Sequence, residues 1–493
     1  CVSFLIVRTL ISIRNRFKLP PGPTALPVIG HLHLLSPFMH QTFQKLSSNH
    51  GPLMYLHLGS VDCVVAPNPE LANELLKHHE LTFSTRHHTA AIEHLTYNSS
   101  FAFAPYGPYW KFIKKLTTFE LLGNRTLGQT LPVRTKELHH FIGILLGKSK
   151  SGEAVNLTQE LLKLTNNVIS QMMLSIRCSG TVDQADGFRT LVREVNEIFG
   201  EFNVSDIIWF FKNIDVQGFR KRFLDIHNRY DSLLEKIMRD REQLRKNKKP
   251  NDDDVKDFLD IMLDIFEDEH SGVQLTRNHI KALILDFLTA ATDTTALIAV
   301  EWALAELINN PEVLRKAQQE LDQVVGKSRL VQESDTPCLP YLQAIIKESF
   351  RLHPPIPILS RKARFMISNR AVDTDINNSG VIDVKGLHYQ LLPFGTGRRG
   401  CPAVDTDINN SGVIDVKGLH YQLLPFGTGR RGCPGISLAM QELAVTLAAL
   451  VQCFDWNAGG GVDMSERPGL TAPRAYELNC VPLARFTPTL FAT

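Results

Sequence analysis

One loop of this chain gathers the residue types able to do redox chemistry. In Phe426-x-x-Gly429-x-Arg431-x-Cys433-x-Gly435, glycines space a thiol, a guanidinium and an aromatic ring. Gly427, Gly429, Gly432 and Gly435 free the backbone for tight turns and close approach to a flat ligand. Cys433 stands just before the segment 435–454, whose apolar residues at 436, 440, 443, 447, 450 and 454 predict a helix. Free N–H groups at a helix start favour a thiolate. Arg431 can meet a carboxylate and Phe426 can shield the sulfur, so the set suits a metal held by one thiolate within a flat, acid-bearing ligand.

The loop occurs twice. Residues 371–402 recur without a change at 403–434, so Cys401 has the same upstream context as Cys433. Pro402 and Ala403 follow Cys401, whereas Pro434, Gly435 and the predicted helix follow Cys433. Cys433 is therefore the expected ligand. Within each copy, Asp373-Thr-Asp375-Ile-Asn377-Asn-Ser379 alternates oxygens like a calcium loop. Asn378 fills the obligatory glycine position and Val384 the twelfth, which excludes calcium. A thiolate on haem iron pushes electron density toward bound dioxygen and favours O–O cleavage, and haem is the cofactor this loop fits.

On these residues the loop resembles the haem-binding signature of the cytochrome P-450 superfamily. The order of the other motifs is similar to plant microsomal members, above all the flavone synthase II and flavanone 2-hydroxylase group. The resemblance covers roughly 19–362 and 413–485. It implies a mainly α fold with small β-sheets and haem b on an axial cysteine. It also implies O2 and NADPH-cytochrome P-450 reductase as partners, at the cytosolic face of the endoplasmic reticulum membrane.

The resemblance assigns roles to other positions. Ala290-Ala291-Thr292-Asp293-Thr294-Thr295 is similar to the acid–alcohol pair, with Thr294 holding water or oxygen and Asp293 relaying protons. Ala291 stands where the family usually has Gly, which favours a regular helix at that point. Trp110 and Lys114, four apart and so on one helical face, are implied to contact a haem propionate, with Arg361 as a third partner. Glu348 and Arg351 match the family's buried ExxR pair, but the Pro-Glu-Arg-Phe motif that completes it is absent. The first repeat copy fills that length with other sequence.

The substrate class rests on softer resemblances at Leu95–Ser100, Ile198–Asp206 and Val462–Arg474. They imply a pocket from the loop 86–104, Ala290, Ile358, Leu359, Ser360, Leu470 and Thr471. Related isoflavone synthases carry Lys where this chain has Ser360, which argues for flavone formation from a flavanone by desaturation between carbons 2 and 3. Flavanone 2-hydroxylation and isoflavone formation are the alternatives within the family. A rearranged, haem-deficient product is the alternative of another class.

The elements that must position these residues are mostly helices. Segment 276–310 is the longest apolar-periodic stretch and ends at Asn309-Asn310-Pro311; Asp286, Asp293, Glu301 and Glu306 within it argue for a buried central helix and against a membrane span. Strand-rich pieces fall at 52–66 and 475–487, and the charge run 245–254 predicts a solvated loop. A net charge of +2 gives no argument for nucleic acid. Eight irregularly spaced cysteines without CxxC predict neither a disulfide framework nor zinc. Residues 1–13 are apolar apart from Arg8, Ser3, Ser12 and Thr9, and Arg14, Arg16 and Lys18 follow. Residues 1–18 thus read as the tail of a truncated anchor with a basic flank, ahead of a haem-thiolate catalytic domain at 19–493.

Overall fold

The computed structural model describes residues 19–178, 182–247, 256–270, 272–292, 295–363, 389–393, 416–417, 421 and 423–486. Thirteen helices carry the architecture among them. In chain order these are α1 (Met39–His50), α2 (Ala90–Leu95), α3 (Pro108–Lys115), α4 (Leu131–Ser151), α5 (Leu157–Leu174), α6 (Val182–Gly200) and α7 (Phe219–Asn247). They continue with α8 (Phe258–Glu267), α9 (Arg277–Thr292), α10 (Thr295–Asn309), α11 (Pro311–Val324), α12 (Pro340–Leu352) and α13 (Ile436–Cys453). Proline opens α3, α11 and α12, where its missing N–H costs nothing and its fixed φ suits the first turn. The long apolar stretch becomes α9 and α10, and α10 ends at Asn309 as the Asn-Asn-Pro signal predicts.

α10 lies at the centre, packed on α13, α12 and α5. Helix α13 is long and apolar enough to cross a bilayer, yet most of it is buried in this core. The acids on α10 are satisfied by partners. Glu301 accepts from Thr158 Oγ1 at 2.7 Å and lies 3.6 Å from Arg474. Glu306 bonds His353 Nε2 at 2.6 Å, and that imidazole stacks on Trp302 at 3.9 Å and 3°. Buried polar groups so paired add specificity to an otherwise apolar helix.

Where α4, α5, α10 and α13 meet, a cavity of about 30 Å³ holds the Glu442 carboxyl beside Arg134 and Glu333. Arg134 and Glu333 pair in bidentate fashion at 2.7 and 2.9 Å. Burial pushes Glu442 up to about 7, opposed by Arg134 and reinforced by Glu333. That space has room for about two waters.

The larger sheet has the order β1-β2-β5-β4, with β1 (Met54–Leu58), β2 (Val61–Ala66), β4 (Arg361–Lys362) and β5 (Tyr389–Pro393). β1 and β2 are antiparallel, Met54 opposite Val65, and β2 and β5 are parallel, Asp62 opposite Tyr389. The smaller sheet, β3-β7-β6, joins β3 (Val155–Asn156), β6 (Phe454–Asn457) and β7 (Asn479–Ala484).

β5 belongs to the first repeat copy, and its sequence Tyr-Gln-Leu-Leu-Pro recurs at 421–425. The described residues there, 421 and 423–425, lie in no strand: Tyr421 has φ 57°, and Tyr421 and Leu424 pack with Leu53, Val64 and Leu359 while Leu423 joins the main core. One pentapeptide thus takes two conformations, because tertiary packing decides where local propensity is weak.

Candidate functional site

The Cys433 loop is built by its own backbone. Cys433 N–H donates to Phe426 O at 2.9 Å, closing the turn. Gly429 has φ 64°, and a Cβ there would strike the Glu80 carboxylate, which takes the Arg430 N–H and guanidinium. Phe426 is buried edge-on to Phe350 at 5.6 Å. Gly435 caps α13, and its N–H serves the Cys433 sulfur.

Cys433 is accessible to a water-sized sphere, yet desolvation still pushes its thiol pKa up. Both hold when the sulfur faces an internal void rather than the outer surface. The Gly435 N–H, Lys114 and Arg86 pull the other way. The sequence predicts only the thiolate-favouring helix start; burial outweighs it. Ala290 on α9 is similarly accessible although its neighbours Leu288 and Thr289 are buried.

Three guanidiniums crowd this region. Arg361, at the start of β4, is fully desolvated, and its one hydrogen bond among the described residues goes to Ser360 O at 3.0 Å. Burial, then Arg86 and Arg431, holds its pKa far below the ordinary arginine range. Arg86 is likewise lowered by burial, and its Nε is buried without a partner among the described residues. Arg431, pushed down to about 9 by burial and Arg86, is held by carbonyls: Ser84 O at 2.6 Å, Ala104 O at 2.5 Å and Phe101 O at 3.5 Å. It also lies 4.3 Å from the Trp110 ring centroid.

Clustered desolvated cations are costly unless anions join them, and Asp286 and Glu80 offset this set only in part. Among the described residues, Arg86 and Arg361 leave N–H groups open to two acid groups, beside a thiol that is accessible yet desolvated. A flat ligand with two carboxylates and a central metal ion fits that donor set.

The sequence-derived residues divide accordingly. Arg361 has guanidinium donors without a partner among the described residues. Arg431 instead serves as a tie between loops, because three carbonyls already take its donors. Trp110 Nε1 donates to Phe101 O at 3.0 Å and Lys114 Nζ to Gly432 O at 2.7 Å, so both brace the Cys loop and its neighbour. Ile358 and Ser360 are half-buried, Leu359 packs into the cluster under β2, Thr471 is half-buried and Leu470 is exposed beside the end of α6. Asp293, Thr294 and Cys401 lie outside the described residues.

Glu348 and Arg351 form the expected pair, bidentate at 2.7 and 2.8 Å. The implied burial is not found: the Glu348 side chain is 53% exposed. The Pro-Glu-Arg-Phe segment that would cover it is missing from the sequence, and a pair this open contributes about 1 kcal/mol at most.

Sequence reasoning did not single out Arg86 as a ligand or Asp286 as part of the site. Arg86 follows a segment without apolar periodicity, and only the fold brings it to Cys433 and Arg361.

The family profile described as Cytochrome P450 matches residues 20–372 and 409–479. "Cytochrome P450 93B2" of Gerbera hybrida is 56% identical, covering 96% of this chain and 93% of that protein. "Cytochrome P450 93B16" of Glycine max is 54% identical over 99% of this chain and 97% of its own length. A "2-hydroxyisoflavanone synthase" of Glycyrrhiza echinata is 40% identical, with 99% and 97% covered.

Proposed function

Because this chain belongs to the cytochrome P450 family, a set of haem-thiolate monooxygenases, we propose that it oxidises flavonoids and that its reaction is flavone synthesis from a flavanone. The observation that carries the haem-thiolate reading is Cys433, accessible yet desolvated, with the desolvated Arg86 and Arg361 nearby and the Arg86 Nε without a partner among the described residues. The substrate class draws on the relative whose name carries isoflavanone. Ser360, half-buried beside Arg361, supports flavone over isoflavone.

Haem b, bound through Cys433, supplies the activation of O2 with electrons from NADPH through the P450 reductase. The chain's own residues do the rest. Arg86 and Arg361 would hold the two acid groups of the cofactor, which would relieve their mutual repulsion. The Gly435 N–H and Lys114 stabilise negative charge on Cys433 Sγ. Phe426 would keep water from the sulfur, and Asp293 and Thr294 would supply protons for O2 activation. Ala290, Ile358, Leu359, Ser360, Leu470 and Thr471 orient the flavanone. Overall, flavanone, O2, NADPH and a proton give flavone, NADP⁺ and two waters.

Residues 1–18 anchor the domain at 19–493 to the endoplasmic reticulum membrane, with the site on the cytosolic side. The decisive assay incubates the enzyme with reductase, NADPH and naringenin. Flavone as the primary product is expected; 2-hydroxyflavanone or isoflavone as primary product overturns the assignment.

A further inference from the structure

The desolvated, half-buried carboxyl of Asp286 on α9 has no ion-pair partner within hydrogen-bond reach among the described residues; a loop holds it instead. Ser100 Oγ donates to its Oδ1 at 2.5 Å and Phe101 N–H to its Oδ2 at 2.5 Å, with the Ala102 N–H as a further donor. Ser100 Oγ in turn accepts from the N–H groups of Ala102 at 3.0 Å and Phe103 at 3.3 Å, so the hydroxyl organises the turn that the carboxylate holds. Burial still pushes Asp286 up to about 7 despite these donors and nearby Arg86.

The far side of the same turn faces the Cys loop. Phe101 O accepts from Trp110 Nε1 and Arg431 Nη1, and Ala104 O accepts from Arg431 Nη2. The Phe101 ring stacks on Trp110 at 5.7 Å and 15°, with Lys114 Nζ 5.4 Å from its centroid. Lys114 then reaches Gly432 O, one residue before the cysteine. A short chain of contacts therefore runs from the central helix through the turn 99–104 to the ligand loop.

We propose that Asp286 is a positioning residue that fixes the 99–104 turn to the central helix and so holds Arg431, Trp110 and Lys114 in place around the cofactor. The inference rests on the haem-thiolate reading of the site but not on the choice of flavonoid reaction. Removing the carboxylate leaves the Ser100 hydroxyl and the Phe101 N–H without their acceptor, and the turn opens locally while the helical core stays closed.

The test uses full-length, haem-loaded enzyme without flavonoid. In Asp286→Ala, hydrogen exchange at 100–104 is expected to quicken by about 100-fold and haem transfer to apomyoglobin by about 10-fold, with α13 exchanging as in wild type. Ser100→Ala should move both readouts in the same direction by less, and the double variant should be no worse than Asp286→Ala alone. Ser100→Ala also decides the matter if Asp286→Ala fails to accumulate. Turn exchange within threefold of wild type overturns the proposal, as does faster turn exchange with unchanged haem loss. Because no flavonoid enters, failure of the flavone assignment leaves this result intact.

Discussion

Replacing Glu442 by Gln should make the enzyme less sensitive to alkaline pH. The wild-type carboxyl sits in a cavity of about 30 Å³ next to an Arg134 already claimed by Glu333, and burial pushes it up to about 7. A carboxyl raised in the folded state favours folding while protonated, so its contribution is fully present below the ordinary Glu range and is lost as pH rises through about 7. Between pH 5 and pH 8 that loss amounts to about 2.5 kcal/mol. Gln keeps the shape and stays neutral, so it escapes the loss. An unfolding entropy of roughly 2.1 cal/mol/K per residue gives about 1 kcal/mol/K for 493 residues, and the Gln variant should gain about 2.5 °C on wild type across that range. Melts of both haem-loaded proteins at matched scan rate at pH 5, 6, 7 and 8 measure the difference. A difference flat to within about 0.5 °C would refute the buried, unpaired state of Glu442.

Other substitutions separate the remaining assignments. Cys433→Ser should abolish the reduced carbon-monoxide Soret band of a thiolate haem, while Cys401→Ser should retain it; loss confined to Cys401→Ser would exchange their roles. Arg361→Met should act with opposite sign on the two forms of the protein. It relieves repulsion in the haem-free chain and raises its melting temperature, but it removes an anion partner and quickens haem loss about tenfold in the loaded enzyme. Asp293→Asn and Thr294→Ala should lower flavone formed per NADPH consumed several-fold while naringenin affinity, read from the haem absorbance shift, stays within twofold.

Much of the fold was legible wherever a signal lay within one segment. The expected helix at 435–454 is found as α13, Ile436–Cys453, and the strand-rich 52–66 became β1 and β2. The apolar stretch 276–310 became α9 and α10, and Glu301 and Glu306 within it have protein partners that no bilayer would supply. The parallel pairing of β2 with β5 was not legible, since it joins residues more than three hundred positions apart. The same limit applies at the site. Cys433, Arg361 and Lys114 stood out by motif, whereas Arg86 and Asp286 acquire their meaning only from what the fold sets against them. Arg431 shows the converse: its type suggested an anion, but Ser84, Phe101 and Ala104 turn their carbonyls toward it.

The duplicated Tyr-Gln-Leu-Leu-Pro segment gives this chain a folding degeneracy. Two identical strand candidates, 32 positions apart, compete for the single slot between β2 and β4. If 421–425 takes that slot in place of 389–393, an identical sequence stands at the same register between β2 and β4, so the sheet itself cannot detect the error. Only Cys433 can, because its loop is drawn away from Lys114 and the turn 99–104. Haem capture then becomes the step that selects the correct register, and protein matured without haem should accumulate as a mixture of two registers.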